Sequence, residues 1–391
     1  MPHLLNIPRR AVLRLCALLA AGLLAACNPT GGGGGPQIDT SAPVPVALLV
    51  PGSEGQSGEI AGLSRSLENA ARLAVADLQG VQIDLRVYPT GGNANGASAA
   101  ATRAVGEGAR IIVGPLYAEA ANAAGVAVAS QGINVLTFSN NTAIAGGNVF
   151  VLGNTFDNVA RRLASYSASQ GKRDVLIVSA QSAAEASGRD AIVSAANQNR
   201  LNIVGNLSFP LSEAGIRGVA PQIASQVQAT GADAIFFTSE NAGAMGFLPQ
   251  FLAEQGLSSD VAQYIGITRL DVGPGALAAP GIQGAWFALP DPSLNTNFRG
   301  RYGSAYGTSP HPLAGLAYDG IAAVGALVSQ GRSDALTRGA LTQGSGFVGV
   351  NGIFRFRSDG TNERGLAVAQ IQNNRVVVID AAPTRFGGAG F

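Results

Sequence analysis

Two short polar loops carry residue types that could hold a small polar ligand. Leu116-Tyr117-Ala118-Glu119 follows an apolar run and opens a helical stretch. Tyr117 and Ala118 therefore stand where spare backbone N–H groups can receive a carboxylate. Ser139-Asn140-Asn141-Thr142 follows the next apolar run and supplies two hydroxyls and two amides. In an open α/β sheet, segments beyond the carboxyl ends of the strands are where ligands bind. Ser139 to Thr142 also suit helix capping and turns, so ligand contact and capping stay open as alternatives. Ser53, just past the first strand, joins these candidates, and Gln181 and Arg269 stand after strands of the second half. Tyr318 and Asp319 lie on a helix expected to run through Val328. They are read either as cleft or interlobe contacts or as a structural pair near the helix start.

Groups for turnover are scarce. Gly344-Ser345-Gly346-Phe347-Val348-Gly349 matches the spacing of a dinucleotide loop. Such a loop needs a strand before it and a helix after it. Here a helix precedes, and Ile353-Phe354-Arg355-Phe356 reads as a strand, so the match is rejected. No G-x-S-x-G elbow or P-loop is present. The chain has two histidines, and a Ser/His/Asp triad in the exported chain would have to use His311, set between Pro310 and Pro312 without supporting context. No catalytic residue, metal site or cofactor is expected, and the chain is read as a non-enzyme.

The 391 residues suit two lobes of ordinary size. Charged residues make up 13% and hydrophobic residues 47%, against a usual charged share of roughly 25%. With a net charge of +1 and no clustered Lys or Arg, no nucleic-acid partner is expected. Arg9, Arg10 and Arg14 precede the apolar run Leu15 to Leu24, which has the length of a signal h-region. Leu24-Ala25-Ala26-Cys27 resembles the lipobox of bacterial lipoproteins. That resemblance implies cleavage before Cys27, lipid attachment at Cys27 and a membrane contact through the anchor. Asn28 after the Cys implies the outer membrane, on its periplasmic side. Cleavage removes three arginines and no acid, so the net charge turns from +1 to −2. It also removes Cys16 and His3, leaving no intrachain disulfide.

The elements that must position the loops follow a repeating beat. Residues 27–45, rich in Gly and Pro, read as the anchor and a flexible tether. Val46–Val50 is the first strand, Leu63 to Leu78 a helix with one apolar face, and Val81–Tyr88 a half-buried strand. Gly80, Gly108, Gly132, Gly171, Gly231 and Gly256 each close a helical stretch ahead of a strand. Further strands are expected at Ala109–Val113, Ile133–Phe138, Asp174–Ser179, Ala232–Thr238 and Ala262–Thr268. Continuous apolar runs such as Val175-Leu176-Ile177-Val178 belong to strands buried on both faces. The alternation predicts parallel sheets with right-handed crossovers. It breaks near Asn148–Gly153 and again near Ile282–Leu289. These breaks divide the chain into a signal peptide (1–26), the anchor and tether (27–45), lobe 1 (46–152), lobe 2 (153–282), a return to lobe 1 (283–356), and C-terminal strands returning to lobe 2 with a tail (357–391).

From about Val46 to Asp380 this order resembles the type 1 periplasmic binding-protein superfamily, in its leucine/isoleucine/valine-binding branch. The residues that carry it are Ser66-Leu67-Glu68-Asn69-Ala70-Ala71-Arg72-Leu73-Ala74, Ile111-Ile112-Val113-Gly114-Pro115-Leu116, Ala317-Tyr318-Asp319-Gly320, and Phe347 to Phe354 followed by Asp359-Gly360. The resemblance implies an α/β fold of two Rossmann-like lobes with parallel sheets, joined by a multi-strand hinge. It implies that the lobe 1 loops hold a ligand's carboxylate and amine. The second lobe departs from the amino-acid binders. No aromatic residue stands in Ala180-Gln181-Ser182-Ala183-Ala184-Glu185, and Thr268-Arg269-Leu270-Asp271 holds a cation where they place an acid. With the anchor, this makes the chain similar to penicillin-binding-protein activators of the LpoA type, whose partner is a class A peptidoglycan synthase. The alternative is a substrate-binding receptor that delivers amino acids or related small polar solutes to an ABC permease.

Overall fold

The computed structural model describes residues 35–53, 55–273 and 275–387. Cys27, the arginines before it and Asn28 lie outside the described residues.

The first lobe is built on β1 (Val44–Val50), β2 (Ile83–Pro89), β3 (Ile111–Val113), β4 (Val135–Thr137) and β5 (Val149–Val151). Their spatial order is β2-β1-β3-β4-β5, and every pairing is parallel. The crossovers are α1 (Glu59–Asp77), α2 (Ala94–Gly106) and α3 (Ala118–Val128). Alternate residues of a strand face opposite sides of its sheet. Val46, Leu48 and Val50 share a core with Leu63, Leu67 and Ala70 of α1. Ala47 and Leu49 instead meet the Ala-rich faces of α2 and α3, Ala97, Ala101 and Ala120 among them.

The second lobe continues with α4 (Phe156–Ser169), β6 (Asp174–Ala180), α5 (Ala183–Gln198), β7 (Asn202–Phe209), α6 (Glu213–Thr230), β8 (Ala234–Phe237), α7 (Leu248–Glu254), β9 (Gln263–Gly266) and β10 (Trp286–Leu289). The chain then returns to the first lobe through α8 (Pro292–Tyr306), α9 (Ala314–Val328), α10 (Arg338–Leu341) and an antiparallel sheet of β11 (Phe347–Gly349), β12 (Gly352–Phe356) and β13 (Asn362–Arg364). Phe347, Phe354 and Phe356 of that sheet and Leu316 and Ile321 of α9 belong to the first lobe's core. Finally β14 (Ala367–Gln372) and β15 (Arg375–Asp380) complete the second sheet, whose order is β15-β14-β10-β9-β8-β6-β7. β6 to β10 pair in parallel, and β14 and β15 add an antiparallel edge. Both faces of β6 are covered. Val175 and Ile177 meet α4 and α5, while Leu176 and Val178 meet α6.

The two-lobed α/β architecture with parallel sheets matches the expectation, and several details differ from it. Ile38, placed in the tether, is buried, and its N–H donates to Ser333 O at 2.8 Å. An apolar side chain with a cover available is worth burying, so the chain is packed from there, and β1 begins at Val44. β7 was not anticipated. The helix before it ends through Arg200, which takes a left-handed conformation (φ 57°) where the other repeats use glycine. The break near Ile282 is a turn inside the second lobe, with Gly281 at φ 80°, because β10 pairs with β9 and β14. The return to the first lobe follows Leu289 instead, at Pro290, where Asp291 caps α8 by accepting from Ser293 N and Leu294 N. Likewise β13 still pairs with β12, so re-entry to the second lobe begins after Arg364 rather than at 357.

Three strands of chain therefore cross between the lobes, at 152–155, 290–291 and 365–366, and side chains tie them together. Asn362 Nδ2 donates to Val151 O and Gly153 O, each at 2.8 Å. Arg364 donates to Leu152 O through Nε at 3.0 Å and Nη2 at 2.6 Å.

Candidate ligand site between the lobes

A cavity of about 830 Å³ opens beyond the carboxyl ends of the second lobe's strands and reaches the first lobe and the hinge. Besides Ala288 to Pro290 and Leu366 at the other two crossings, its walls come from four places. The first crossing gives Asn154, Thr155, Phe156 and Val159. The loop after β8 gives Glu240, Asn241, Ala242, Gly246 and Phe247. The segment after β9 gives Ile267, Thr268, Arg269 and Val272. The first lobe adds Asn140 and Leu313. The walls are predominantly apolar, with a few polar groups converging, the usual make-up of a small-molecule site.

The loops are held from below. Thr155 caps α4 by accepting from Asn158 N at 3.2 Å, which fixes the first crossing as it enters the helix. Glu185 fastens the ends of two strands by accepting from Ala180 N, Thr238 Oγ1 at 2.7 Å and Ser239 Oγ at 2.8 Å. Thr268 Oγ1 donates to Ser239 O at 3.0 Å and joins the β8 and β9 loops. Asn241 Nδ2 donates to Leu270 O at 2.5 Å and spans the same gap. Phe247 and Val272 then stand 59% and 52% exposed on the cavity wall, apolar area that a bound molecule could cover.

The charge on the wall is set by one ion pair and one further carboxylate. Arg269 donates through Nε and Nη2 to the two oxygens of Asp271, both at 2.6 Å, so the pair carries no net charge. Glu240 carries the other formal charge on the wall. Among the described residues no group of three or more His, Cys, Asp or Glu gathers to hold a metal ion.

Of the sequence candidates, Asn140 and Arg269 line the cavity. Thr142 faces a smaller polar pocket on another side of the first crossing, with Arg161 and Asp359. Ser139 and Asn141 do turn and cap work. Ser139 Oγ accepts from Asn141 N at 3.1 Å, and Asn141 Oδ1 accepts from Ala143 N at 2.9 Å. Ser53 is exposed, and its N–H donates to Gln56 Oε1 at 2.8 Å. Tyr117 is 40% exposed beside Gly92, and Ala118 is the first residue of α3. Gln181 is exposed with its N–H paired to Phe209 O. None of these seven, Thr142 included, is on the cavity wall.

Tyr318 and Asp319, treated as one pair, separate. Tyr318 Oη donates to Asp77 at 2.6 Å and its ring meets Phe298 edge-on, so it joins α9 to α1 and α8. This corrects the cleft reading, because neighbouring residues of a helix point about 100° apart. Asp319 is fully buried and bonds to Arg364 at 2.9 Å, Val350 N at 2.8 Å and Asn351 Nδ2 at 3.1 Å. Burial pushes its carboxyl above the ordinary carboxylate range, against the pull of the Arg364 guanidinium. His311 is half-buried, donates its N–H to Ser66 Oγ at 2.7 Å, and is pushed down in basicity by burial.

Asn154, Glu240, Asn241, Phe247 and Val272 were not among the sequence candidates. The rule of looking past the carboxyl end of each strand applies to β8 as well as to β6 and β9, and it would have found Glu240 and Asn241.

No curated protein matches the sequence. Solved structures resemble the fold at low identity. One, assigned to a branched-chain amino acid ABC transporter of Rhodospirillum rubrum, aligns at TM-score 0.74 and 18% identity, over 86% of this chain and 100% of that one. A branched-chain amino acid ABC transporter periplasmic ligand-binding protein from Burkholderia xenovorans aligns at 0.69 and 18%, over 88% and 97%. A Desulfitobacterium hafniense ABC transporter substrate-binding protein in complex with Leu aligns at 0.64 and 18%, over 86% and 100%. A family model described as periplasmic binding protein matches residues 43–375, nearly the whole of both lobes, and the chain belongs to that family.

Proposed function

We propose that this protein is the substrate-binding receptor of an ABC importer, taking a small solute between its lobes in the periplasm and presenting it to a membrane permease. The observation that carries this reading is the interlobe cavity, with apolar walls, a few polar groups and a three-crossing hinge on which the lobes can close. Solved relatives with the same fold are substrate-binding proteins of ABC transporters. Acylation at Cys27 would keep the receptor at a membrane surface. Activation of a penicillin-binding protein, the first reading of the sequence, rests on the lipobox and on the second-lobe departures at Gln181 and Arg269. The family and the cavity favour transport over it.

A closing receptor gains stability from its ligand, about 2.7 kcal/mol at a hundredfold excess over Kd. Thermal unfolding of the purified lipoprotein against amino acids, amides and aromatic acids tests the reading, with a clear rise in Tm expected for one chemical class. A flat response across that panel, together with co-purification of a class A penicillin-binding protein, would reverse the order of the two readings.

A further inference from the structure

Two buried side-chain acceptors among the described residues have no hydrogen-bond partner, Asn154 Oδ1 and Asn241 Oδ1. Both residues line the same cavity, one from the first crossing and one from the β8 loop. A buried acceptor left unpaired is a standing cost that an incoming donor removes. Glu240, next to Asn241, adds a carboxylate on the same wall. The cation on this wall, Arg269, is paired through Nε and Nη2 with both oxygens of Asp271, which offsets its charge and lessens its pull on a ligand's carboxylate. Asn140, Thr155 and Thr268 are the other polar residues on the wall, and the rest of it is apolar, with Phe247 and Val272 uncovered.

Resting on the receptor reading, we infer that the ligand is recognised by a nitrogen donor head, an ammonium or an amide, carried on an apolar body, and not by a carboxylate. Asn154 and Asn241 accept from the N–H groups, Glu240 adds attraction when the head is charged, and Phe247 and Val272 cover the apolar part. An ammonium carries three donors and an amide nitrogen two, enough for the two acceptors that the first crossing and the β8 loop bring to this cavity.

Three probes sharing one branched apolar skeleton isolate the head group: isohexylamine, isocaproamide and isocaproate, each titrated calorimetrically into the full-length protein. Isohexylamine and isocaproamide are expected to bind, and isocaproate at least about tenfold more weakly. Glu240 is exposed, so Glu240→Gln should fold as the wild type. It should weaken isohexylamine about tenfold while leaving isocaproamide unchanged. Asn154→Leu should weaken both nitrogen probes without lowering Tm, since it removes an unpaired acceptor. Binding of isocaproate as tight as that of isohexylamine would overturn the inference and leave the receptor reading standing. Binding of none of the three would overturn it as well, and the receptor reading would fall with it only if amino acids and aromatic acids also failed to bind.

Discussion

Arg364, at the end of β13, holds Asp319 of α9 at 2.9 Å with neither side chain exposed to solvent. The same guanidinium donates twice to Leu152 O on the first crossing, so one residue joins the first lobe's central helix to two of the three interlobe crossings. Breaking a buried pair leaves an uncompensated charge, at a cost of about 3–5 kcal/mol. Arg364→Met should lose that much in denaturant unfolding. The double variant Arg364→Met, Asp319→Leu should lose less than the sum of the two single changes. Additive losses would mean that the pair is not coupled.

Glu363 draws on cations from both sides of the hinge. Arg355 and Arg357 reach it at 2.6 and 3.1 Å from the first lobe, and Arg161 lies at 3.5 Å on α4 of the second. Burial alone would raise its carboxyl, but the Arg355 hydrogen bond and the neighbouring guanidinium charges hold it below the ordinary value of 4.5. A depressed folded value means stability that is present above the unfolded value and lost as pH falls through the folded one. Urea unfolding below pH 4.5 should therefore show a stability slope that is shallower in Glu363→Gln.

Arg200 ends α5 in a left-handed conformation. That geometry costs a side-chain-bearing residue about 1–2 kcal/mol, part of which glycine returns through its greater unfolded freedom. Arg200→Gly should raise stability by about 0.5–1 kcal/mol, read as an increase in Tm. A fall in Tm would show that the arginine side chain contributes more than its backbone costs.

Phe247 is mostly exposed on the cavity wall. Its removal should hardly touch folding, within about 0.5 kcal/mol. If its ring closes over an apolar ligand, Phe247→Ala should weaken binding about tenfold, in line with the roughly 1.5 kcal/mol at the low end of a buried apolar side chain's worth. Calorimetry of the variant against any compound that binds the wild type checks this. A change in Tm without a change in affinity would place the residue in the fold instead.

Much of the fold was legible because its signals are local. Val175 to Val178 is apolar without interruption and forms a strand covered on both faces, and Gly231 closes α6 in the left-handed conformation that its place before a strand signals. β7 was hidden because the mark of a helix end was a glycine and Arg200 took its place. Ile38 was read with the glycines before it because only its long-range partner, Ser333, shows that it is packed. The site was less legible for the same reason. Ser139 and Asn141 have the right chemistry for a ligand and the right chemistry for a turn, and the turn takes them. Asp319 finds Arg364 forty-five positions away, a pairing that no spacing rule anticipates. Phe247 and Val272 look like ordinary apolar residues until three crossings set them on one wall.

The receptor reading requires the lobes to close on a small molecule held between them. Glu119 and Glu213 are exposed at the starts of α3 and α6, helices that follow strands of the two different sheets at their carboxyl ends. Spin labels at Glu119→Cys and Glu213→Cys report the interlobe distance directly. A compound that raises Tm should shorten and narrow that distance distribution, and Ala242→Trp, which places a large side chain on an exposed part of the cavity wall, should abolish both effects. A stabilising compound that leaves the distance unchanged, or that still acts in the Ala242→Trp protein, would contradict the account.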